Sequence, residues 1–161
     1  MNRYVKRYFI DGMGGMAQGL FASLLIGTII KTIGQQLLRL GSCPAFQFLV
    51  DAGSFAGEAH VVGAAMAVAI GFGMSVPALV AFSLVAVGAT ANTLGGAGGP
   101  LAVLVIAIVS AELGGLVSKK TKVDIIVTPL VTILSGVLLS VLCARHIGLA
   151  ASSVGNLIIW A

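Results

Sequence analysis

The feature that most constrains this chain is a series of long apolar runs with the charges gathered between them. From Val61 to Gly73 and from Pro77 to Leu94 no residue is charged, and from Pro100 to Val117 the one charge is Glu112. Such runs need a solvent that accepts their surface. Hydrophobic residues make up 58% of the chain and charged residues 9%, with a mean hydropathy of +1.12. A soluble domain carries about 25% charged residues, so lipid is the solvent here. In lipid the backbone must satisfy its own polar groups, which leaves helices or a closed barrel. Barrel strands alternate polar and apolar residues over about 10 positions, and these runs do not. The fold class that follows is all-α, a polytopic transmembrane helical bundle with short broken or re-entrant helices.

The net charge of +4 does not indicate nucleic acid. Arg3, Lys6 and Arg7 form one cluster and Lys119, Lys120 and Lys122 another, as on a cytoplasmic membrane face. No basic stripe with interleaved aromatics accompanies them. Cys43 and Cys143 lack the spacing of a metal site or a disulfide framework. The basic start has no small-residue cleavage site, so it reads as an uncleaved interfacial lead-in from Asn2 to Ile10, with Tyr4, Tyr8 and Phe9 at headgroup depth.

Met13 to Ile33 is the first span, about 20 residues and long enough for a hydrocarbon core of about 30 Å. Gly34 to Glu58 is mixed, and Phe46 to Phe55 within it suits a half-helix or a re-entrant element. Two helices follow, with a break at Gly71 to Val76, and the second opens on Pro77, as helices often do. Gly95-Gly-Ala-Gly-Gly-Pro100 is the strongest breaker in the chain. A helix from Pro100 to Val117 and another from Val123 to Cys143 come next, then a short run from Ile147 to Trp160. Four crossings, beginning at Met13, Val61, Pro77 and Pro100, bring both basic clusters to one face. Arg145 and His146 then lie outside and the last run re-enters. Lys31 and Arg39 fall on the less usual side. The chain is apolar up to Ala161, which suggests the N-terminal part of a longer single transmembrane domain covering 1–161.

Candidate chemistry is sparse. Gly15-xxx-Gly19 and Gly53-xxx-Gly57 have the spacing that lets membrane helices approach closely. Gly95, Gly96, Gly98 and Gly99 have no following Lys-Ser or Lys-Thr, so they are not a phosphate-binding loop. Breaks at membrane depth often serve as binding sites in transporters. Asn92 and Thr93 beside this one offer hydrogen bonds to a polar solute, although an ordinary loop fits the glycines equally. Glu112 lies about 18 Å into its helix, where an acid needs a cavity or a partner; a solute-binding role and a structural one are both open. Glu58 and His60 are two residues apart and suit a cap, a loop or a proton-handling pair for coupling. Asp11 and Asp124 begin apolar spans, where a helix N-terminus favours negative charge. No catalytic residues, metal ligands or cofactor motif emerge.

Three stretches carry a resemblance: Gly95-Gly-Ala-Gly-Gly-Pro-Leu, Ala111 to Ile133 with its Ser-Lys-Lys-Thr-Lys-Val-Asp centre, and Val5 to Ile29. Together they resemble the IIC (EIIC) permease component of the bacterial sugar phosphotransferase system, over essentially the whole chain. The resemblance implies a homodimeric, multi-pass permease in the bacterial cytoplasmic membrane. It would bind and translocate a small polar solute, a sugar in most of the family, and work with a soluble IIB partner that carries the phosphoryl group. It also implies a chain extending past Ala161. Two alternatives stand beside it: an ion- or proton-coupled transporter of another solute, using Glu58 or Glu112, and a non-transporting membrane sensor with a transporter-like body.

Overall fold

The structure is a computed structural model and describes residues 3–120 and 123–160. Among the described residues there is no strand and nearly all are helical, so the all-helical expectation holds. We label the helices α1 (Lys6–Leu40), α2 (Pro44–Ala56), α3 (Ala59–Gly73), α4 (Ala78–Gly95), α5 (Gly99–Val117) and α6 (Asp124–Asn156). By length and apolarity, the described residues give three membrane-crossing stretches, Lys6–Leu40, Ala78–Val117 and Asp124–Asn156, or four if the bent pair α2–α3 counts as one.

Ala78–Val117 is folded back on itself. A Cβ on Gly114 would lie 3.1 Å from Val80 Cγ1, whereas a straight helix would hold these residues about 51 Å apart. The fold occurs at Gly96–Gly98, a single 3-10 turn in which Gly96 takes φ 56°. That conformation carries a steric cost for any residue with a Cβ. The breaker read from the sequence is therefore a hairpin turn, and α4 and α5 each traverse the bundle.

The core lies where α3, α4 and α5 meet. Met66, Ile70, Val80, Leu84, Val87, Val103 and Ile106 are buried there. Gly63 and Gly88 allow α3 and α4 to approach so closely that a Cβ on either would strike the other's carbonyl oxygen. In a bilayer, where lipid is as apolar as leucine, such close packing is what favours helix association. Gly15 and Gly19 seat α1 on the α3 backbone at Ala65–Ile70 in the same way. In the second glycine pair Gly53 lies against the α1 backbone at Gly27 and Lys31, whereas a Cβ on Gly57 would meet only the Gly53 and Ser54 carbonyls at 3.5 and 3.7 Å. Buried hydroxyls are satisfied within their helices, as in Ser110 to the Ile106 carbonyl at 2.7 Å and Thr132 to Thr128 at 2.8 Å.

Several expected boundaries are corrected. The described part of the N-terminal lead-in, Arg3 to Ile10, is helix continuous with the first span. That helix runs on to Leu40, past two π turns at Lys6–Asp11 and Phe21–Leu25 that leave it unbroken. The break after α3 falls at Met74 to Pro77 rather than at Gly71. Gly71 stays helical beneath Leu84 and Ala81, while Ser75 takes φ 56° and Pro77 fixes the next start. The chain does not turn at Arg145 and His146. Their side chains are exposed, the His146 ring reaches the Leu142 carbonyl at 3.1 Å, and a π turn at Ser140–Ala144 carries the helix through. The last run is thus the end of α6, and the re-entrant reading of it is wrong.

Candidate functional site at the glycine turn

The α4–α5 turn is held by packing on both sides. Gly98 lies against Gly148 and Ala151 of α6, and Gly95 against Ala102 and Ala144. Gly95, Gly98 and Gly99 are buried, while Gly96 and Ala97 are exposed at the tip. Asn92, one turn earlier, is 8% exposed and its Nδ2 donates to the Ala59 carbonyl at 2.6 Å. A Cβ on Gly99 would collide with the Asn92 side-chain oxygen, so Asn92 fills the gap that this glycine leaves. Its first task is structural: it ties the end of α4 to the start of α3. The Thr93 hydroxyl donates to the Ala89 carbonyl at 2.7 Å on an exposed face.

Ala59 stands between Glu58 and His60, and so the bond from Asn92 joins two candidate groups at one end of the bundle. Glu58 Oε2 and His60 Nε2 are 3.1 Å apart, both about half exposed. Glu112 is at the other end, about 20 Å along α5 from Gly99. Its Oε1 is 3.1 Å from Arg7 Nη2, with the two side chains 36% and 41% exposed. The contact has the distance of an ion pair without hydrogen-bond geometry: Glu112 Oε1 and Arg7 Nε are shielded yet make no hydrogen bond. The Arg7 guanidinium also lies 5.9 Å from the centre of the Tyr8 ring. The candidate residues therefore form two groups, one around the turn and one at the end that bears Lys6, Arg7, Lys119 and Lys120. Lys122 and Asn2 lie outside the described residues.

Beside the turn is a cleft of about 460 Å³, lined by Ala97, Gly98, Pro100, Leu101, Ala151, Ser152, Gly155 and Asn156. Small-molecule sites range over about 300–1,000 Å³, so its size is adequate. It is open at the side, and its polar groups come from Ser152, Asn156 and the backbone of the turn. The Ser152 hydroxyl donates to the Gly148 carbonyl at 2.8 Å, leaving its oxygen free to accept.

The family described as Phosphotransferase system, EIIC, matches residues 10–161. The chain belongs to that family. No curated protein and no solved structure matches it. As an EIIC protein it is an integral membrane component of a sugar phosphotransferase permease, the class of membrane protein that works with a IIB partner.

Sequence reasoning on this EIIC chain missed the α6 wall of the cleft, Ser152 and Asn156, because a single apolar run does not show which helix it will pack against. It also missed Arg7 as the partner of Glu112. The signal for that was present: the two basic clusters share a face, and Glu112 is the acid inside a span, about two helical turns before Lys119.

Proposed function

We propose that the cleft beside the Gly95–Gly99 turn forms part of the path by which a polar solute, a sugar, is bound and translocated. The observation that carries this reading is the juxtaposition of a glycine-rich helix break with an open cleft that has polar atoms on its α6 wall. Non-helical backbone in a membrane protein needs protein or water around it, and transporters often form solute sites where a helix is interrupted. Gly98 packs against Gly148 and Ala151, so its role is to let the turn seat on α6; Ala97, Ser152 and Asn156 would meet the solute. The same reading makes the protein a homodimer in a bacterial cytoplasmic membrane, crossing it several times and working with a soluble IIB partner that carries the phosphoryl group.

A proton-coupled variant draws support from the Glu58–His60 pair, which the Asn92 bond places at the same end as the turn. Nothing in the structure favours the sensor reading.

The test uses the full-length protein in proteoliposomes, with Cys43→Ser and Cys143→Ser as background. Ala97→Cys and Asn156→Cys are labelled with a maleimide in the presence and absence of candidate sugars. The expected result is that labelling lowers uptake several-fold and that the transported sugar slows labelling. Unchanged uptake and sugar-independent labelling at both positions would refute the cleft as part of the path.

A further inference from the structure

The half of the α1–α2 hairpin that leaves the bundle is built as a two-faced plate. Beyond Gly27, α1 packs on α2, with Gly27, Gly34 and Lys31 facing Gly53, Ala56 and Val50. On α1, Ile26, Ile29, Ile33 and Leu40 fall on one side of that contact, at helical spacings that share a face. Thr28, Thr32, Gln35 and Arg39 fall on the other. On α2, Phe48 and Phe55 share one side, and Gln47, Asp51 and Ser54 the other. Gln47 Nε2 bonds Asp51 Oδ1 at 2.9 Å. Because the two helices run antiparallel, the angular sense reverses between them, and both apolar sides fall on the same face of the pair. Ile29, Ile33, Leu40, Phe48 and Phe55 are between 45% and 85% exposed.

Length and angle say where this plate lies. α4 and α5, with 18 and 19 residues, are about 27–28 Å long, which nearly matches the hydrocarbon core of about 30 Å. α1 has 35 residues, about 52 Å. It draws level with the far end of the bundle at Gly27, beside Gly57. Some 20 Å remain to Leu40. α2 is bent 57° away from α3. α1 stays packed on both, and its π turn at Phe21–Leu25 lies between the two sets of contacts, where a helix axis can change direction. With α3 along the membrane normal, an arm of about 20 Å inclined at that angle rises only about 11 Å. That keeps it near the headgroup zone rather than upright in water.

We propose that this hairpin, Gly27 to Ala56, is an interfacial arm seated on the leaflet farthest from Lys119. Its apolar face is sunk into the boundary between headgroups and acyl chains. Lys31 and Arg39, on the contact edge and the polar face, meet the anionic headgroups there, reaching along their own apolar stems. A plate with one wet face and one apolar face suits that boundary better than it suits hydrocarbon on both sides or water on both sides. The inference does not depend on the solute cleft.

Spin labels in the full-length protein reconstituted into anionic liposomes test it, in the same background without native cysteines. Labels replace Ile33 and Phe48 on the apolar face and Gln35 and Gln47 on the polar face. Collision with oxygen and with a water-soluble nickel chelate gives depth. The expected result is about 5–10 Å below the phosphates for positions 33 and 48, with 35 and 47 accessible to the chelate. Chelate access at 33 and 48 would place the arm in water and overturn the proposal. Shielding of both positions from both reagents would put a second copy or another segment on the face, and would also overturn it. Bilayer-centre depth for all four would make the arm a membrane span, with the same consequence. All four positions are on the surface; Ile29→Cys and Phe55→Cys replace any that does not fold.

Discussion

Gly14 and Gly19 are five positions apart on α1 and meet opposite environments. A Cβ on Gly14 finds nothing within 4 Å, whereas on Gly19 it would lie 2.6 Å from the Ala65 oxygen and from Met66 Cα. Gly14→Ala should therefore leave stability unchanged or raise it by up to about 1 kcal/mol, through helix propensity. Gly19→Ala should cost about 1–3 kcal/mol by forcing α1 off α3. Thermal unfolding in detergent, followed by circular dichroism, checks both; equal effects would mean that α1 does not seat there. Arg7 and Glu112 couple α1 to α5 across a half-exposed contact, so screening keeps the pair modest. A double-mutant cycle with Arg7→Ala and Glu112→Ala should give a coupling of about 1 kcal/mol, and zero coupling would show that the pair is incidental.

At the scale of elements, the α4–α5 turn decides the architecture. Gly96 at φ 56° and ψ −128° lies outside the αL well and in the mirror of the β region, which only glycine adopts readily, so Gly96→Ala and Gly96→Asn should each cost about 1–3 kcal/mol. The fold-back itself is tested by oxidation of the pair Gly95→Cys and Ala102→Cys. Their Cβ positions are 3.1 Å apart, near the roughly 3.5–4.5 Å span of a disulfide. Along a straight helix they would be about 10 Å apart. Ready cross-linking is expected, and failure of the oxidised pair to form would contradict the hairpin. Much of this element was legible beforehand: five Gly or Pro residues among the six from Gly95 to Pro100 announce a break. That the break is a tight hairpin turn rather than a loose loop depends on Gly98 finding Gly148, a contact fifty residues away.

For the whole molecule, the order of passes places both basic clusters together. The start of α1, the α3–α4 turn and the end of α5 share one end, as the Arg7–Glu112 contact and the packing of Gly73 on the Asp11 carbonyl require. The Glu58–His60 pair, the glycine turn and the α1–α2 arm share the other. Single cysteines at Lys6 and Lys119 should therefore react with an impermeant maleimide from one side of the membrane, and one at Gln35 from the opposite side. Labelling of positions 6 and 119 from different sides would overturn the arrangement.

The amino-acid order alone was enough to set the solvent and hence the class of fold. Apolar runs with so few charges admit only a membrane, and a membrane admits backbone only when its hydrogen bonds close locally, as they do in helices. It also marked the glycine break, which rests on local chemistry, and predicted the two basic clusters at one end of the bundle, where Lys6, Arg7, Lys119 and Lys120 lie. What it left open are the properties set by packing between distant segments. The α1 helix passes through its polar stretch to Leu40 because α2 covers Gly27 and Gly34. α6 continues through Arg145 and His146 because nothing there interrupts its ladder. Glu112 points to Arg7 rather than to the glycine turn because α5 runs the length of the bundle between them. A hydropathy pattern records how each residue meets solvent; which residue lies opposite it is decided only when the helices assemble.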